Sequence, residues 1–256
     1  MSTVTSPAER PADNPGAVDP ARPSAGKRDI WIVFWIVPAF YTAFGAIFFA
    51  LARTMPPPRP DVTTAQKAEF FAAHHLTIQI GFGMLILIVG GAGVANGIVV
   101  YHMKRMTSGS VCAYLYMGGM AVGALPGCLL VAFCFLTAAL RPDRDPELLA
   151  LLYDLGCLSY VGSLGCFAAA YFGFAIAILY DRNGVFPKWL AYVTVWQIVT
   201  EIMAAPLFVV GAGPFSWNGS MAFWSGTLIF GFWLSCVIFF LRKATEEQPA
   251  DELPLD

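Results

Sequence analysis

Along this chain, long apolar runs alternate with short polar breaks, and the runs have the length of membrane crossings. The first runs from Ile30 to Ala52, with Trp31 and Trp35 at its start and Pro38 as a predicted kink. The segment Thr54-Met-Pro-Pro-Pro-Arg-Pro-Asp61 follows, a stiff connector whose prolines exclude helix. Thr63 with Gln66 three residues on fits a capping box. A helix is therefore expected to start there and run through Glu69 and His74 into a second span, Leu76 to Tyr101. Further spans are expected at Val111–Leu140 (with Pro126), Leu148–Tyr180, Trp189–Val210 and Ser220–Leu241. At about 1.5 Å per residue, each is long enough for a hydrocarbon core of roughly 30 Å.

The fold class that follows is all-α: one polytopic bundle of six transmembrane helices. Residues 1–28 read as a disordered polar tail, 29–243 as the membrane domain, and 244–256 as a disordered acidic tail. The first apolar run begins only at Ile30 and is span-length, so it reads as an uncleaved helix rather than a signal peptide. Of the fifteen Lys and Arg, ten fall on the side of the two tails and five on the other. The positive-inside rule then places both termini in the cytoplasm of a cell-membrane protein.

Composition agrees with the pattern. The chain of 256 residues is 57% hydrophobic and 12% charged, with a mean hydropathy of +0.64. A soluble domain carries about 25% charge. The net charge of −2, with no basic stripe, excludes a nucleic-acid partner. The partners expected are the bilayer, a small hydrophobic molecule, and a second copy or another membrane subunit. All six cysteines lie in apolar runs without a CxxC, as small packing residues do.

Small residues recur at spacing four. Gly93 and Gly97 do so in the second span, Gly119, Gly123 and Gly127 in the third, and Gly162, Cys166 and Ala170 in the fourth. Such faces let helices approach closely, so these three spans are expected to form the centre, with the first and sixth facing lipid.

Polar residues inside the spans are the candidates for chemistry. Glu201 sits about 18 Å along the fifth span, where a carboxyl must be paired or protonated. Thr194, Gln197 and Glu201 share a helical face, with Thr200 beside them. On the outer half, His74, His75 and Gln79 enter the second span and Asp154 begins the fourth. With no Lys or Arg in mid-span, His74 and His75 are the basic groups expected to approach Glu201. Three histidines, two of them adjacent, make no haem pair or HExxH site. No metal and no cofactor is expected, although a mixed site of His75, Asp154 and Glu201 is the arrangement to test against. The uncharged aromatic loop Gly211–Ser220 reads either as an interfacial turn or as a lid.

Three functions remain open on this reading. One is a protein that binds or transports a small hydrophobic or lipid-like molecule, proton-linked through Glu201. Another is an isomerase or cyclase of a hydrophobic substrate, with Glu201 and Asp154 as acid and base. The third is an accessory subunit whose Glu201 docks a partner helix.

Overall fold

A computed structural model describes residues 25–108 and 110–249 of the chain. The tails expected at 1–28 and 244–256 lie largely outside these residues. Where they are described, order runs further than expected: helix extends from Ala25 and on to Glu246.

The regular structure among the described residues is helical, with no strand. Six helices are long and apolar enough to cross a membrane. The first span is α1 (Ala25–Ala46) continued by a π-helical turn, Ile47–Leu51. The second is α2 (Thr64–Ile88) and α3 (Gly90–Lys104), broken at Val89. The third is α4 (Ser110–Ala124), a π-helical stretch Leu125–Leu130 holding Pro126, and α5 (Val131–Ala139). The fourth is α6 (Pro146–Val161) and α7 (Leu164–Tyr180), parted at Gly162 and Ser163. The fifth is α8 (Lys188–Ala204) with a 3₁₀ turn, Ala205–Phe208, around Pro206. The sixth is a π-helical turn, Ser220–Trp224, leading into α9 (Ser225–Glu246).

The capping box at the start of α2 forms as its residues dictate. Gln66 N–H donates to Thr63 Oγ1 at 3.3 Å, and Thr63 N–H donates to Gln66 Oε1 at 2.9 Å. Pro38 sits inside α1, whereas Pro126 converts its surroundings to π-helix, one way a helix absorbs the carbonyl that proline leaves unbonded.

The centre of the bundle differs from the expected one. In the most apolar stretch of each span, 44% of residues are buried in the third and fourth, 39% in the fifth, and only 28% in the first and second. The sixth, at 17%, is the most exposed, as expected of a lipid-facing helix. The third, fourth and fifth spans thus form the middle, through α4 against α7 and α7 against α8. A Cβ on Gly119 would lie 2.6 Å from the Cys166 carbonyl oxygen and 2.9 Å from Ala170 N. One on Gly123 would strike the Phe167 ring at 2.7 Å. The small-residue faces of the third and fourth spans therefore meet. Gly93 and Gly97 do not take part, since a Cβ at either meets nothing within 4 Å. Instead the second span approaches the first at Gly81, against Leu51 and Ala52, and at Gly91, against Phe40.

The bundle has a basic end, with Lys27, Lys104, Arg105, Lys188 and Arg242, and an opposite end carrying the proline-rich connector. The basic end is tightly tied. Lys27 Nζ donates to the carbonyls of Glu246 and Gln248, so α1 and α9 end together. Arg105 Nη1 donates to His102 Nδ1 at 3.0 Å, and a guanidinium can only donate. His102 Nε2 therefore carries the ring proton and donates to Thr245 Oγ1 at 3.1 Å, whose hydroxyl donates to Leu241 O. Gln248 Nε2 adds a bond to Tyr101 Oη at 2.6 Å. Asp181, buried in the loop after α7, accepts from the backbone N–H groups of Thr107, Asn183 and Val185.

Candidate functional site

All six spans contribute to one cavity of about 240 Å³. Each also departs from regular α-helix beside it. Phe44 precedes the π-turn of the first span, and Ala92 follows the Val89 break of the second. Gly127 and Cys128 lie within the π-helical stretch of the third, while Val161 and Leu164 flank the parting of the fourth. Ala204 precedes the 3₁₀ turn of the fifth, and Ala222 and Phe223 lie in the π-turn of the sixth. Irregular backbone at membrane depth is tolerated where it lines a cavity or is buried in protein, and π-bulges recur at functional sites. Side-chain hydroxyls take up local carbonyls near the break in the fourth span: Ser159 Oγ donates to Gly156 O and Ser163 Oγ to Ser159 O.

The wall is apolar and aromatic. Tyr41 and Phe230 meet edge-on at 6.1 Å, Tyr160 packs on Phe48 at 5.0 Å, and Tyr171 meets Trp233 edge-on at 5.0 Å. These contacts fix the lining rings. Cations are absent from the lining among the described residues.

The polar element of the wall comes chiefly from α8. Lys188 starts this helix after Pro187, whose fixed φ suits a helix boundary. The helical repeat then puts Thr194, Gln197 and Glu201 on the face turned inward. Thr194 Oγ1 donates to Leu190 O and accepts from Trp233 Nε1 at 3.0 Å, which orients α8 against α9. Thr200 Oγ1 donates to Gln197 O. Gln197 Nε2 donates to Glu201 Oε1 at 3.2 Å. Gln197 is only 2% exposed, and its Oε1 has no hydrogen-bond partner. Glu201 is half-buried inside the bundle rather than set on its outer wall. Asn96 reaches the same cavity from α3, donating to Ala92 O and accepting from Tyr116 Oη.

The other candidate residues lie elsewhere. Asp154 accepts two bonds from Lys67 Nζ, at 2.5 and 2.7 Å, and does not line the cavity. Lys67, 8% exposed, also sits 5.4 Å from the centre of the Tyr153 ring. The basic partner of an intramembrane acid is thus a lysine for Asp154, not a histidine for Glu201. His74 packs edge-on to Phe70 at 5.3 Å, and exposed His75 donates from Nδ1 to Ala72 O. Gln79 Nε2 donates to Ala139 O at 2.7 Å, satisfying a carbonyl at the end of α5. Neither histidine lines the cavity, nor does Gln79. The acid–base pair of Glu201 and Asp154 therefore lacks the shared cavity it requires. His75, Asp154 and Glu201 are likewise not gathered, and no group of three such ligands occurs among the described residues.

Sequence reasoning missed the tyrosines of the wall and the role of Lys67. The signal for Lys67 was a lone cation one turn into a capped helix that is otherwise mostly apolar. The tyrosines gave none, because aromatic residues are common throughout such spans.

Towards the connector end, Met55 also lines the cavity. Trp217 Nε1 donates to Pro58 O at 2.8 Å, and Tyr153 Oη donates to Arg59 O at 2.8 Å. The loop before the sixth span is thereby bonded to the connector rather than lying apart from it. No protein-family model matches the chain, nor does any curated protein or solved structure.

Proposed function

We propose that this is a membrane protein that binds, and moves across the bilayer, a small and largely apolar molecule held in the central cavity, with Glu201 as the protonatable anchor. One observation carries the reading: a single carboxyl, beside Gln197 with its unpartnered Oε1, lines a predominantly apolar and aromatic cavity reached by every span. A cavity of about 240 Å³ is small beside the roughly 300–1,000 Å³ usual for drug-sized ligands, which favours a compact molecule over a whole phospholipid. An accessory subunit that docks a partner helix through Glu201 would need an outward carboxyl, and the inward one supports binding instead. In this proposal the basic end faces the cytoplasm of a cell membrane and the connector end faces out.

The test is mass spectrometry of small molecules that co-purify with the protein, wild type against Glu201→Gln. Supported, the proposal gives at least one bound species that is depleted in the variant. Uptake driven by a pH gradient in vesicles should likewise vanish in Glu201→Gln while expression persists. Identical bound species and unchanged uptake in both proteins would remove the proposal.

A further inference from the structure

We propose that the ligand of this cavity is a compact lipophilic ammonium ion, its N–H groups bonded to Glu201 and Gln197 Oε1 and its apolar body packed among the aromatic rings. This rests on the binding reading above and narrows it to one chemical class.

The first reason is charge. A carboxylate enclosed by protein and lipid is strongly disfavoured unless a counter-charge or a proton is present. No Lys, Arg or His lines the cavity among the described residues, and the buried lysine nearest in kind, Lys67, is held by Asp154. The site is electrically neutral with a proton on the carboxyl or with a cation beside it, and a ligand ammonium meets that need.

Hydrogen-bond polarity is the second. An ionised carboxylate only accepts, so it orients the Gln197 amide with Nε2 towards itself. That leaves Gln197 Oε1, a second acceptor, buried and unpartnered on a residue that lines the cavity. With the two acceptors carried one turn apart on α8, the pair calls for a ligand with at least two donors on one atom. A primary or secondary ammonium has them; an alcohol has one, and a carboxylic acid would set oxygen against oxygen.

The third reason is the wall. Tyr41, Tyr160, Tyr171 and Phe230 line the cavity, and each is held by a ring contact to a neighbour. Ring faces attract cations electrostatically, most effectively where water is excluded.

Three probes of nearly one shape decide the matter: 1-aminoadamantane, 1-adamantanol and adamantane-1-carboxylic acid, titrated calorimetrically into the full-length protein in neutral detergent at pH 7. The amine should bind about tenfold or more tightly than the alcohol, and the acid most weakly. Glu201→Gln should erase the preference for the amine while the alcohol still binds. Glu201→Asp, which keeps the charge, should retain the preference and guards against a folding artefact in the amide variant. Equal or tighter binding of the alcohol to wild type would overturn the ammonium inference and leave an apolar-ligand pocket standing. Survival of the amine preference in Glu201→Gln would also overturn it. Failure of all three probes to bind would count against the pocket as well.

Discussion

The indole N–H of Trp217 reaches across to the Pro58 carbonyl at 2.8 Å, fastening the loop before the sixth span to the connector between the first two. Met55, in the same connector, is part of the cavity wall. The bond therefore ties the loop before the sixth span to a segment that forms part of the cavity wall.

Trp217→Phe should retain the ring packing and lose only this bond, at a cost of about 0.5–1.5 kcal/mol. The expected result is faster hydrogen exchange at Thr54 and Met55, whose N–H groups bond Phe48 O, with exchange in α4 and α7 unchanged. Unaltered exchange at the connector would show that the bond does not fasten it.

The pair of Lys67 and Asp154 is buried on one side only, the Asp154 side chain being 42% exposed. Fully buried pairs lose roughly 3–5 kcal/mol when one partner is removed, so the wet carboxylate lowers the expectation for Asp154→Asn to about 2 kcal/mol. Thermal unfolding in detergent measures it. The double variant Lys67→Met with Asp154→Leu should recover most of the loss, because no uncompensated charge then remains. Binding of the amine probe should be unaffected by Asp154→Asn, since this pair lies outside the cavity.

Two glycines of similar sequence context should respond in opposite ways to alanine. Gly119→Ala forces a Cβ against the Cys166 carbonyl and the Ala170 backbone, and is expected to destabilise by about 1–3 kcal/mol. Gly93→Ala meets open space and is expected to be neutral or to stabilise by up to about 1 kcal/mol through helix propensity. Parallel unfolding curves would check the contrast, and equal losses would contradict the packing of α4 on α7.

At the basic end, Thr245→Val leaves the buried His102 Nε2–H without an acceptor. A cost of about 1–3 kcal/mol is expected, with faster amide exchange in the last turns of α9. Retained exchange protection there would show that His102 does not hold the helix end.

How much of this was legible in the sequence varies with the range of the interaction. The six spans, the Thr63–Gln66 cap and the inward face of α8 are local, and hydropathy or helical repeat marks them. Position in the bundle is not local. Spacing of small residues shows which faces permit close approach, yet Gly119 receives a neighbour and Gly93 does not. Lys67 and Asp154 stand 87 residues apart, and nothing near either names the other. The breaks at Val89 and at Gly162 and Ser163 were equally silent, because an interrupted span keeps the same hydropathy as an unbroken one.

One feature of the helices bears on movement. The uninterrupted stretches α1, α3, α4, α7, α8 and α9 all abut the basic end, while every irregular turn lies further towards the connector. The breaks thus divide the bundle into a base of six helices at the basic end and a connector-side set of α2, α5 and α6, joined to it by irregular turns around the cavity. Tilts at those turns would change the width of the cavity without one helix sliding past another.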